Sequence, residues 1–486
     1  MNDKKQSIAT NVVWRFAEQI SAQFVSLLVS VILARLLSPE HYGTLAIITV
    51  LISFLQVFVD NGLGNALIQK KDTDELDFNS VFLTNIVVCI GLYGLLFLLA
   101  PFFARVWGEQ ELILLARVLG IIIIVSGVKN ILQAYVAKNM MFRKFFLATL
   151  FGTIVSAVVG ITMAYQGYGV WALVCQRLSN VTIDTIILYF SLDWKPKMQM
   201  SIKRVRNILP YSMRYTITVL LDVGFTNLRQ LIIGKVYSTT DLAYFNQGEQ
   251  FPQIIVSNIN SSLDSVLFPA MSNKQEEKAK VKEIAKRTIR ISSYLLCPMM
   301  VGLAMIAEEL VTIILTEKWL ECVPFLRIQC LLYMLYPIHT TNLNIIKAVG
   351  RTDIFLKIEI LKIIVGMIGI LCAMQYGIFA FAISMVITAL IGAIINMYPS
   401  YRLVNYSIFE QIKDFTKNLL LATMMGFVVI GISYLQVNIY VSVIMKILCG
   451  SVCYLLLSHI FRKKEYVEIK NILLQYLQVI KRNTKF

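Results

Sequence analysis

The sequence predicts an all-α integral membrane protein with about 14 transmembrane helices, grouped as two six-helix pseudo-repeat lobes and an extra C-terminal helix pair. Three observations carry this expectation. Apolar runs of membrane-spanning length recur along the whole chain, basic residues alternate between the two sides of those runs, and short stretches recur at a nearly constant offset. The 486 residues are 57% hydrophobic and only 15% charged, against roughly 25% charged in an ordinary soluble domain. That composition excludes a disordered chain and argues against a soluble enzyme.

A bilayer crossing needs about 20 apolar residues. Runs bounded by charges, Gly or Pro fall at 12–36, 43–68, 79–104, 112–137, 145–165, 169–191, 210–234, 242–270, 289–315, 322–346, 355–375, 377–400, 415–435 and 438–460. The eighth is the least apolar, interrupted by Asn258, Asn260, Ser261, Ser262 and Asp264. The first carries Arg15 and Glu18 and continues to Leu37 without a small-residue cleavage site, so it reads as a retained span and not a signal peptide.

The formal net charge of +16 is then largely a matter of orientation. With the N-terminus in the cytoplasm, 32 of the 45 Lys and Arg fall in cytoplasmic segments and only Arg105, Lys235 and Lys318 in outside loops. This is the positive-inside pattern, and a missed or extra span would scramble it. Both termini are expected in the cytoplasm.

The repeat gives the domain organisation. Leu33–Ser38 resembles Ile233–Ser238; Lys138, Phe142 and Lys144 recur as Arg351, Phe355 and Lys357; Tyr168–Ala172 recurs as Tyr376–Ala380. Collinear matches at nearly one offset imply two parallel halves, as in many transporters. The expected division is an N-lobe at 1–192, a cytoplasmic linker at 193–209, a C-lobe at 210–401, an added pair at 402–460 and an amphipathic tail at 461–486. Met198, Ile202, Val205, Ile208 and Leu209 follow helical spacing, so the linker is expected as an interfacial helix on the cytoplasmic lipid surface. The tail shows the same spacing.

Enzyme chemistry finds little support. The eight Cys contain no CxxC, and His41, His339 and His459 have no metal-ligand spacing, so no metal site or cofactor is expected. There is no P-loop motif. Asp72-Thr73-Asp74 resembles the acidic motif of metal-dependent glycosyltransferases, but its short loop has no sugar-nucleotide domain around it and reads as helix capping. The outside loops are too short for the catalytic face of a polymerase.

The informative charges lie inside the spans. Nine are basic (Arg15, Arg117, Lys129, Arg177, Arg214, Arg229, Arg327, Lys362, Lys446) and seven acidic (Glu18, Asp60, Asp184, Asp222, Glu249, Asp264, Glu359). Each costs about 2.5–3.5 kcal/mol or more near the bilayer centre, so they pair or line an aqueous cavity. The excess of cations suits an anionic solute, and Arg binds phosphate through a bidentate fork. Arg15, Arg177, Arg214, Arg229, Arg327 and Lys362 are the candidate substrate-binding cations. Glu18, Asp60, Asp222, Glu249, Asp264 and His339 are candidates for coupling or ion pairing. His339 sits beside Pro337, which can kink its helix. For each residue a structural ion pair or a snorkelling end is the competing reading.

Three stretches carry a family resemblance: Ala34-Arg35-Leu36-Leu37-Ser38-Pro39-Glu40-His41-Tyr42-Gly43, Asp60-Asn61-Gly62-Leu63-Gly64-Asn65-Ala66-Leu67-Ile68-Gln69, and Gly167-Tyr168-Gly169-Val170-Trp171-Ala172-Leu173. The chain resembles the polysaccharide transporter family, in the branch of colanic-acid and teichuronic-acid exporters related to Wzx-type O-antigen flippases. These belong to the MOP exporter superfamily with the MATE multidrug transporters and lipid II flippases. The resemblance implies a two-lobe bundle that flips undecaprenyl-pyrophosphate-linked repeat units outward by alternating access, with ion-gradient coupling implied for some members. Expected partners are the lipid-linked oligosaccharide, membrane lipids, and a polymerase and glycosyltransferases of the same pathway; no nucleic acid is expected. A MATE-type small-molecule exporter and a membrane-embedded polymerase are the alternatives.

Overall fold

The structure, a computed structural model, describes residues 23–60, 63–69, 73–435, 437–461 and 465–467; these are helical almost throughout, with no β-strand among them. They fall into two compact units that divide between Ala243 and Tyr244.

The first unit holds α1 (Gln23–Leu36), α2 (Pro39–Asp60), α3 (Leu63–Gln69), α4 (Glu75–Trp107), α5 (Glu111–Lys138), α6 (Phe142–Tyr165), α7 (Val170–Ser191), α8 (Ile202–Val236) and the start of α9 (Thr239–Ser272). Local chemistry sets several boundaries. Asp74 caps α4 through a reciprocal capping box with Asp77, and Gly108 ends it in the left-handed conformation that glycine adopts without strain. Pairs α4/α5 and α6/α7 pack as antiparallel hairpins whose approach depends on small residues. A Cβ on Gly127 would stand 2.4 Å from the Cys89 sulfur, and one on Gly152 would stand 3.0 Å from Cβ of Asp184.

Two hydrophobic cores form in this unit. One gathers residues such as Leu33, Leu45, Ile52, Leu96, Leu119, Ile123 and Val174. The other gathers Leu63, Phe78, Val81, Ile131, Leu132, Leu188 and Trp194. Along α5 and α7 the stretch between the two cores is polar, holding Ser126, Lys129 and Asn130 on one helix and Asn180 and Asp184 on the other.

The second unit holds the rest of α9, then α10 (Lys278–Met305), α11 (Ala307–Ile314), a 3₁₀ turn (Glu317–Cys322), α12 (Val323–Met334), α13 (Tyr336–Ala348), α14 (Thr352–Ala373), a 3₁₀ turn (Met374–Tyr376), α15 (Ile378–Val404), α16 (Ile408–Ser433) and α17 (Ile439–Ile460). α10 packs chiefly against α16 and also against α12 and α13.

Each of the apolar runs read from the sequence coincides with a helix or with two consecutive helices, the first of them from Gln23 onward. The run at 322–346 is broken at Leu335, where Pro337 brings no amide donor to the following turn. Among the described residues, eight helices are long and apolar enough to cross a membrane by length and composition. Those that miss this measure include α8, α9 and α14, which carry Arg214 and Arg229, Glu249 and Asp264, and Glu359 and Lys362. Large apolar side chains stand on the outer surface, among them Leu98, Phe190 and Phe427 at 77%, 76% and 74% exposure. Exposure on this scale belongs on a lipid-facing surface. The chain is a multi-pass membrane protein.

Two local features recur at the expected offsets. α2 begins after Ser38, whose hydroxyl lies 3.0 Å from His41 Nδ1; α9 begins after Ser238, whose hydroxyl accepts the Asp241 amide at 2.9 Å. Gly169 and Gly377, with φ of 54° and 95°, each immediately precede a helix. The linker departs from expectation. Residues 192–201 form no helix, and α8 runs unbroken from Ile202 through the seventh expected span. The apolar spacing that predicted a separate interfacial helix is the opening of α8 itself. The amphipathic tail beyond Val467 lies outside the described residues.

Candidate functional site

The first unit carries a polar track. On α2, Thr49, Ser53, Gln56 and Asp60 recur at spacings of four, three and four, so they share one helix face. None of them is fully buried. Arg177 on α7 donates to the Thr49 hydroxyl at 2.7 Å. Asn227 on α8 donates to Ser53 at 2.6 Å, and Gln56 donates to Ser126 on α5 at 3.4 Å. Asn130 on α5 donates to the Asp60 carbonyl at 3.2 Å. Gly224 lies against Phe54, Asn227 against Ser53 and Gly234 against Ile47, so α8 runs antiparallel to α2. This register sets Arg229 at a level between Ser53 and Ile47, on the face of α8 turned away from Gly224, Asn227 and Gly234.

Next to the track, Lys129 and Asp184 form an ion pair at 2.6 Å, with the Asp184 side chain only 3% exposed. Asn180 donates to Ser156 at 3.1 Å and Asn85 to the Gly127 carbonyl at 2.9 Å, which completes the polar layer between the two cores.

Arg177 and Arg229 differ from Arg327, Lys362, Lys129 and Lys446 in one respect. Among the described residues neither has a carboxylate within ion-pair distance. Arg177 is surface-accessible with Thr49 as its hydrogen-bond partner; Arg229 lies over the Phe225 ring at 5.3 Å and its Nε has no partner. Three other cations have a carboxylate each. Arg327 on α12 lies 3.7 Å from Glu308, Lys362 lies 2.7 Å from Glu359 one turn away, and Lys446 on α17 is buried against Glu309. Arg117 covers the Phe97 ring at 3.8 Å.

Glu249, a coupling candidate, accepts the Tyr333 hydroxyl at 2.8 Å, which ties α9 to α12. His339 lies 3.0 Å from the Asn396 amide, and a Cβ on Gly392 would touch both the His339 ring and Lys362, so these two candidates share one neighbourhood on α13–α15. Arg15 and Glu18 lie outside the described residues, as do the side chains of Arg214, Asp222 and Asp264. The second unit also contains an apolar cavity of about 710 Å³ between α10, α16 and α17, with Lys446 the one charged residue among those lining it.

The motif residues have structural roles in this unit. A Cβ on Gly64 would stand 2.0 Å from Asn130 Oδ1, and one on Gly43 would stand 1.9 Å from the Thr239 carbonyl oxygen. Gly169 lies against the His41 ring, so two of the three motif stretches meet.

The polysaccharide biosynthesis protein family model matches residues 32–324, well over half of the sequence. The chain belongs to this family. The teichuronic acid biosynthesis protein TuaB of Bacillus subtilis (strain 168) is 22% identical over 439 residues, covering 87% of this chain and 88% of its own. The lipopolysaccharide biosynthesis protein WzxC of Escherichia coli (strain K12) is 23% identical over 382 residues, covering 76% and 75%. Among solved structures, an inward closed conformation of the lipid II flippase MurJ superposes with a TM-score of 0.76 at 18% identity, covering 93% of this chain and 98% of that one. The fold is therefore the MurJ-like helical bundle that the family resemblance implied.

Ser53, Gln56, Ser126 and Asn227 are not among the candidates that the charges in the sequence single out, because a charge inventory overlooks neutral polar residues. Their signal lies in the helical spacing of polar residues along α2.

Proposed function

We propose that this member of the polysaccharide biosynthesis protein family is a flippase for lipid-linked oligosaccharides. It moves undecaprenyl-pyrophosphate-linked repeat units from the cytoplasmic to the outer leaflet of a bacterial cell membrane, by alternating access of two six-span repeats driven by an ion gradient. It is a transporter and not an enzyme. The observation that supports this most strongly is the accessible track in the first unit, with Arg177 donating to it, Arg229 on the neighbouring α8 and no carboxylate on either among the described residues. A guanidinium stays charged and offers a planar donor fork matched to phosphate oxygens, so these two side chains suit a diphosphate headgroup in transit. Thr49, Ser53 and Gln56 offer hydroxyl and amide groups to sugar hydroxyls. Arg15 and Arg214 belong to the same cationic set in this reading. Asp60 and His339 are its coupling candidates, and a polymerase and glycosyltransferases its pathway partners.

Arg177→Gln and Arg229→Gln are expected to reduce polymer export in a complemented deletion strain at least tenfold with protein level unchanged. Arg177→Lys, which keeps the charge and loses the fork, is expected to fall between. Export at wild-type level from the Arg177→Gln/Arg229→Gln double variant overturns the assignment.

A further inference from the structure

The connector after the sixth expected span lies on the N-terminal turns of α4. Trp194 stacks on Tyr135 at 5.1 Å and packs on Phe78 at 5.5 Å. The Lys197 amide donates to Asn79 at 3.0 Å and its ammonium lies 3.0 Å from Glu75. The Ser201 amide donates to Ser80 at 2.9 Å, and Arg204 pairs with Asp74 and, at 3.1 Å, with Asp77. Here α4 and its N-cap carry the acids, and the connector with the first turn of α8 carries the bases.

The connector after the twelfth expected span repeats this arrangement about 208 residues later, with the charges exchanged. Lys282 at the start of α10 donates to the Asn405 carbonyl at 2.8 Å and lies 2.9 Å from Glu410. Arg290 lies 2.9 Å and Lys286 3.9 Å from Asp414. Fully buried Tyr406 donates to Asp414 at 3.0 Å, taking the anchoring place that Trp194 has in the first connector. Here α10 carries the bases, and the first turns of α16 after the connector carry the acids.

We propose that these are two equivalent clamps of opposite polarity, each closing one six-helix repeat on its own third span, and that the inversion keeps each connector on its own helix. Two repeats of similar sequence in one chain risk exchanging equivalent segments. With inverted polarity, an exchanged first connector would set Lys197 and Arg204 against Lys282, Lys286 and Arg290. An exchanged second connector would set Glu410 and Asp414 against Asp74, Glu75 and Asp77. Like charges facing each other disfavour the wrong pairing, which is how specificity is built against a close competitor.

The test uses the full chain purified in detergent, with two readouts: trypsin cleavage at Lys197 and Lys203, and the monodisperse fraction on size exclusion. Arg204→Glu is expected to raise cleavage about tenfold, and adding Asp74→Lys to recover most of it. That double variant, now matched in polarity to the second clamp at its outer pair, is expected to lose at least half of its monodisperse fraction. Adding Lys282→Glu and Glu410→Lys restores the opposition and is expected to restore that fraction, although the Asp74 cap of α4 has then been removed. Cleavage effects of Arg204→Glu and Asp74→Lys that simply multiply would overturn the clamp. A quadruple variant no more monodisperse than the double would overturn the role of the inversion.

Discussion

The Lys129–Asp184 pair offers the sharpest test of the polar layer. Lys129→Met removes the ammonium and keeps the length and apolar stem of the side chain. Asp184 is then left almost fully buried, and its second carboxylate oxygen already has no partner. Removing one member of a buried pair costs about 3–5 kcal/mol, because the remaining charge is uncompensated. The expected loss is therefore about 3–5 kcal/mol. Lys129→Met/Asp184→Leu removes both charges and is expected to return to within about 1–2 kcal/mol of wild type. The assay is equilibrium unfolding in mixed micelles followed by tryptophan fluorescence. A Lys129→Met loss below about 1 kcal/mol, or a double variant no better than the single, would refute the claim that these charges satisfy each other.

Gly64→Ala drives a methyl group into Asn130 Oδ1 and is expected to cost about 1–3 kcal/mol; Gly64→Ala/Asn130→Ala relieves the clash, and thermal shift in detergent compares them. The hydrogen bond from Lys282 holds the Glu410 carboxyl below the usual carboxylate range. A lowered folded-state pKa means that its contribution is intact above the ordinary value of about 4.3 and is lost as the pH falls through the lowered one. Hydrogen exchange of the 405–410 amides, corrected for intrinsic rate, is therefore expected to stay flat from pH 7 to about 4.5 and to rise below it; an onset near pH 6 contradicts the pairing.

The helical architecture was legible because bilayer crossing imposes a length and an apolar composition that few other structures share. Ion pairing was less legible. Lys129 and Asp184 are 55 positions apart, and nothing in their local sequence marks them as partners; only the packing of α5 on α7 does. For the same reason charge and depth alone grouped Arg327 and Lys362 with Arg177 and Arg229, whereas the structure gives the first two a carboxylate each. The linker misled because helical apolar spacing is the same whether a segment lies on lipid or opens a spanning helix. Trp194 and the polar side chains facing α4 were the signal that it is strapped to protein.

The central claim is transport of a lipid-linked oligosaccharide, and the location of stalled substrate tests it most directly. Deletion of the gene followed by leaflet-resolved extraction of lipid-linked sugars is expected to show complete repeat units accumulating on the cytoplasmic side. Accumulation of those units on the outer side, or no accumulation at all, would contradict the account.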